Sequence, residues 1–174
     1  MKILEILKAR RSVRKYAPGE ISDEILDTIL KAGLLSPSGH ARKSWEFIVV
    51  KDKANLAKLS LARTGAADML KGANAAVVVI ADESVQDVWI EDASIAMAYM
   101  HLCASALGVG SCWIQCRLRE AQNGASSEEY LREILGFKGN YRALAILSLG
   151  NLISTPAPHE LEKLEFSKIH KEKF

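Results

Sequence analysis

The chain has 174 residues, 49% hydrophobic and 25% charged, a balance that fits one globular domain and excludes a disordered polar segment. Its 23 basic and 21 acidic side chains leave a formal net charge of +2, too little for a field that would draw in nucleic acid. The longest apolar helical stretch, from Ala93 to Leu107, is too short to span a bilayer, and three cysteines form no disulfide framework; both point to a cytoplasmic protein.

The first residues, Met1 to Arg11, alternate charge and apolar groups, which predicts no secretory leader. Within them Ile3, Ile6 and Leu7 fall at helical spacing, and then Arg10, Arg11, Ser12, Val13, Arg14, Lys15 and Tyr16 gather four cations and two hydroxyls. Ser22 is placed to cap a helix whose apolar stripe is Ile25, Leu26, Ile29, Leu30, Gly33 and Leu34, stopped by Ser36-Pro37. Trp45–Val50 reads as a buried strand, Asp52 caps one of one or two short helices, and Ala75–Ala81 is a second buried strand. From Asp87 to Leu107 the pattern predicts a long helix with Gly108 just past its end. Its second half is apolar all round and rich in small residues, which suits either a monomer's core or a helix that also packs across a dimer interface. Strand Ser111–Ile114, a capped helix Ser126–Leu135 ended by Gly136, and strand Ala143–Leu149 follow. This order predicts an α+β fold, a single domain over 1–174 with a sheet covered on both faces. The polar tail 151–174 has little reason to fold on itself and is expected to wrap over a surface, that of a second subunit in particular.

Guanidinium forks and a serine hydroxyl at Arg10, Arg11, Ser12 and Arg14 suit a phosphate, although a short basic run also reads as a solvated face. Two further segments favour the first reading. Pro37-Ser38-Gly39 forms a turn whose glycine lets backbone approach a planar ring, and Gly108-Val109-Gly110 precedes Trp113 and Ile114, which could wall it. Together the three segments look like a flavin mononucleotide (FMN) site, in which the protein positions and tunes and the flavin carries the electrons. Cys112 and Cys116 are spaced as buried thiols rather than a redox pair, and the four histidines lack metal-ligand spacing. His101 reads as a satisfied core residue, while His40, inside the turn, could touch substrate. The carboxylates from Asp87 to Asp92 are explained by the positive end of their helix.

The Arg-Arg-Ser-x-Arg-x-Tyr run, the Ser-Pro-Ser-Gly segment leading to Trp45-x-Phe47, and Leu107-Gly-Val-Gly-Ser-Cys-Trp-Ile114 resemble, in order and spacing, the compact members of the nitroreductase family. The resemblance covers essentially the whole chain. It implies a three-layer sandwich on a mostly antiparallel central sheet, and a homodimer with two FMN sites at the interface beside the long helix. It also implies two-electron reduction of nitroaromatics, quinones or similar small acceptors by NADH or NADPH, in ping-pong fashion through flavin N5 with no obligatory catalytic side chain. Carried over by residue, Arg10, Arg11 and Ser12 would hold the phosphate, Arg14 would lie near the ring, and Lys163 would add a second phosphate-binding cation. Pro37, Ser38 and Gly39 would come from the partner, with Trp113, Ile114 and Gln115 beside the ring. The family commonly has Asn at Ala41, Gln at Lys43 and Pro at Ser44; a cation at Lys43 near the pyrimidine would raise the flavin potential. These departures leave a second class open, an FMN-binding storage or sensor protein without turnover.

Overall fold

A computed structural model describes residues 3–174; Met1 and Lys2, which open the charge-alternating run, lie outside the described residues. Helix α1 is Ile3–Ala9, and a two-residue strand β1 follows at Tyr16–Ala17. Helix α2, Asp23–Leu34, begins where Ser22 Oγ accepts from the Ile25 N–H (3.3 Å), and α3, Lys53–Leu59, where Asp52 accepts from the Asn55 N–H (2.9 Å). Each such cap is worth about 1 kcal/mol. Strands β2 (Trp45–Val50) and β3 (Ala75–Asp82) fall where apolar runs predict them.

The long helix α4 runs Trp89–Ala106, slightly shorter than its apolar pattern, and Gly108 takes the left-handed φ of +73° as the chain turns away. Strand β4, Val109–Gln115, and helix α5, Ser127–Leu135, with a full capping box between Ser126 and Glu129, lead into β5. Strand β5, Tyr141–Leu152, is longer at both ends than its hydrophobic core because it must serve three neighbours.

The sheet runs β1-β5-β3-β2, with β4 on the other edge of β5, and every strand pair is antiparallel. Alternation along β3 divides the core. Ala75, Val77 and Val79 face α2 and α4 through Ile29, Met97 and Met100. Ala76, Val78 and Ile80 face the other layer, with Leu56, Leu70 and Leu131. The three-layer α+β sandwich is therefore present. No helix among the described residues is long and apolar enough to cross a membrane.

Two glycines decide how the amino-terminal segment reaches the sheet. Gly110 and Gly150 are register partners on β4 and β5. A Cβ on Gly110 would lie 2.9 Å from Val13 Cγ1, and one on Gly150 would collide with the Tyr16 ring. Residues 13–16 thus cross the sheet over a shallow groove that only glycine leaves open. Gly110 makes room for this crossing.

Candidate functional site

Residues 10–14 are pinned to β4. Ser12 bridges Ser111, and the Val13 N–H donates to the Ser111 carbonyl (2.9 Å). Tyr16 closes the crossing: its hydroxyl donates to the Val13 carbonyl (2.7 Å) and shares a hydrogen bond with Ser148 Oγ (2.6 Å). Burial, the largest cause, pushes the Tyr16 phenol well above its ordinary value. The motif's tyrosine is therefore an anchor for its arginines.

The cations then separate. Arg10 turns inward, its Nη1 donating to His101 Nε2 on α4 (3.0 Å). His101 Nδ1 meets Ser111 Oγ at 2.6 Å. Arg11 turns outward and donates to the Ala157 carbonyl of the tail (2.5 Å). Cys112 follows Ser111 on β4. Burial raises that thiol, and Arg14, the Ser12 hydroxyl, Arg10 and Arg63 oppose the rise in that order. Beside them a cleft of about 340 Å³ is lined by Ser12, Val13, Arg14, Ile153 and Pro156. Of the phosphate set, then, Ser12 and Arg14 line one cleft, Arg10 is held on His101, and Arg11 reaches the tail.

Lys163 lies in a short turn of the tail, paired with Glu160 at 2.8 Å, and no hydrogen bond or ion pair among the described residues joins it to the Arg10 cluster. The tail is held to α1 by His159 N–H on the Lys8 carbonyl (2.9 Å) as well as by Arg11. From Ile153 to Phe174 it has no buried residue.

The second region is the turn 37–43 beside the amino end of α4. Its Gly39 N–H donates to Asp92 Oδ1 (2.9 Å), and the other Asp92 oxygen accepts from the Gln86 amide. The Lys43 N–H donates to Ser38 Oγ (3.0 Å), and Arg42 donates to the Val85 carbonyl (2.7 Å). His40, Ala41 and Lys43 all have left-handed backbone, with φ of 50°, 55° and 50°. Non-glycine residues hold that conformation at a cost of about 1 kcal/mol each. Pro37, His40 and Lys43 are exposed, and an open groove of about 560 Å³ lies against Gly39, His40, Arg42 and Gln86.

On β4, Trp113 and Gln115 share the α4-side face, and the indole N–H donates to Gln115 Oε1 (2.9 Å). Ile114 points the other way and is 1% exposed in the second core layer, so its side chain cannot wall a ring; only its backbone is available. Cys116 is buried and its thiol is pushed up to about 12, which suits a core residue rather than a reactive one.

Two residues have roles that the sequence reading missed. His101 is the buried, satisfied histidine that the sequence predicts, but its direct link to the basic motif was not foreseen, and Asp92 is a buried strut (3% exposed) rather than a solvated helix-end charge. For His101 the available signal was a polar residue in the half of the helix that is otherwise apolar all round; Asp92, beside Glu91 in the first turn, gave none.

The nitroreductase family model matches residues 7–151. The chain belongs to the nitroreductase family. An Archaeoglobus fulgidus protein designated an NADH dehydrogenase/NAD(P)H nitroreductase is 38% identical, over 98% of each chain. The structure of an FMN-dependent nitroreductase from Clostridium difficile R20291 superposes with a TM-score of 0.95 at 45% identity, covering 98% of this chain and 99% of that one. A Desulfovibrio desulfuricans nitroreductase solved in complex with FMN shares the fold, at a TM-score of 0.79, 22% identity and 99% and 97% coverage.

Proposed function

We propose that this chain is an FMN-dependent oxidoreductase that takes electrons from NADH or NADPH and reduces small electron-poor acceptors such as nitroaromatics or quinones. The observation that carries the reading is the placing of the basic run beside β4, with Arg10 on His101, Ser12 bridged to Ser111, and Ser12 and Arg14 lining one cleft. The donor set fits the group: two guanidiniums, which only donate, and a hydroxyl suit a phosphate and the electron-rich edge of a flavin. When bound, FMN supplies two-electron hydride chemistry at N5. The side chains bind and orient it and add positive charge where a reduced ring becomes negative. The 45% identity with an FMN-dependent relative supports the same assignment.

The site in this reading is shared between two copies of the chain. Turn 37–43 sits at one end of α4 and Arg10 at the other, roughly 13 Å apart along the axis, so one ring is best reached by Arg14 of one subunit and the turn of the other. Exposed apolar side chains support the pairing: Ile3, Leu4 and Leu7 on α1, Ile95 and Tyr99 on α4, and Phe166 and Ile169 on the tail. Sedimentation at micromolar concentration is expected to give a dimer.

The test of function is optical. After FMN addition and desalting, the protein is expected to keep flavin bands that bleach promptly under anaerobic NADH or NADPH. Retained bands that stay oxidised with both would make it a storage or sensor protein, and no retained flavin would sink the cofactor assignment.

A further inference from the structure

Arg10 ends on a buried imidazole, and the chemistry of that contact fixes more than packing does. A guanidinium has donors only, so His101 Nε2 must be the acceptor at 3.0 Å. The ring is then neutral, carries its proton on Nδ1, and donates it to Ser111 Oγ at 2.6 Å. His101 is 8% exposed, and burial first and the Arg10 charge second push it down to about 4, in keeping with that neutral form. Ser111 is meanwhile the β4 residue whose backbone bridges Ser12 and accepts from the Val13 N–H. One residue therefore sets the path of the 12–13 backbone and, through the imidazole, the direction of the Arg10 side chain.

We propose that His101, braced by Ser111, is a positioning residue that holds the Arg10 guanidinium ready for the phosphate of FMN. The inference rests on the FMN assignment above. One guanidinium nitrogen is fixed on the ring, so the long side chain is ordered before ligand arrives and the remaining N–H groups keep one direction. Arg11 next door shows the contrast: without an imidazole beside it, it leaves for the tail.

The test is a fluorescence-quenching titration of flavin-free protein with FMN and with riboflavin, which lacks the phosphate. His101→Leu is expected to weaken FMN about tenfold while riboflavin affinity stays within about twofold of wild type. His101→Gln, whose amide oxygen can accept in place of Nε2, is expected to restore most of the loss. Ser111→Ala, which leaves the imidazole unbraced, is expected to lose about threefold of the preference for FMN, and it decides the matter if His101→Leu does not fold. Equal weakening of both flavins, or no change in the ratio in any folded variant, would overturn the proposal. A wild-type protein that binds FMN no better than riboflavin would remove the phosphate site itself, and so reports the failure of the cofactor assignment separately.

Discussion

Helix α4 holds two segments of the proposed site, one near each end, by opposite chemistry. Near its carboxyl end a neutral imidazole takes the Arg10 cation, and the Arg10–His101–Ser111 chain is closed by hydrogen bonds. Near its amino end a buried carboxylate, Asp92, holds a turn with three left-handed non-glycine residues. That turn also lies among buried polar atoms without partners in the described residues: Ser36 Oγ, Ser44 Oγ and Gln86 Oε1. An orphaned buried polar atom costs about 1–3 kcal/mol. The Arg10 end is thus satisfied by hydrogen bonds within one chain, whereas the turn is strained and under-satisfied. That asymmetry supports a site whose phosphate half is prepared in each subunit and whose ring half is finished by assembly.

The comparison breaks most visibly at Arg10. Arg10→Leu is expected to weaken FMN by about 100-fold with little effect on riboflavin, because a charge-assisted phosphate contact is lost. Arg11→Leu is expected to stay within about threefold, since its guanidinium serves the Ala157 carbonyl; a 100-fold loss there would put the phosphate on the wrong arginine. At the other end, Asp92→Ala leaves the Gly39 N–H and the Gln86 amide without their shared acceptor. It is expected to cost about 2–3 kcal/mol in urea denaturation of the flavin-free protein.

His101 makes the Arg10 end of α4 sensitive to acid. Its ordinary value of 6.5 falls to about 4 in the fold, so between these values the unfolded chain binds the extra proton. Stability is full above about pH 6.5 and declines as pH falls towards 4. From pH 7.5 to 5 the loss from this residue is about 2 kcal/mol, and the decline should be correspondingly shallower in His101→Gln. The smallest effect is expected in the turn. Ala41→Asn places a residue that tolerates left-handed backbone at φ 55°, and should stabilise by about 0.5 kcal/mol, read as a small rise in Tm. No rise would mean the backbone there is not strained.

Much of the fold was legible because local chemistry and burial agree. Ser22, Asp52 and Ser126 cap the helices they precede, and Ala75–Ala81 is the buried strand its apolar run predicts; Trp45–Val50 is also a strand, but on the sheet edge with only Trp45 and Val50 buried. Strand β1 was not legible, since two residues carry no periodicity; it exists because Tyr16–Ala17 lands beside Leu152 and Asn151. Of the site, the sequence determined which residue types gather, namely a basic run with a serine, a proline–glycine turn and a glycine-bearing strand. Only the tertiary structure decided their directions. Arg10 and Arg11 are adjacent and chemically identical, yet one faces a histidine and the other a tail carbonyl, separated by 91 and 146 positions. Ile114 enters one core layer while Trp113 packs against the other, because alternation along β4 sends them to opposite faces and both faces are covered. Side-chain direction depends on partners distant in sequence, and no local pattern encodes them.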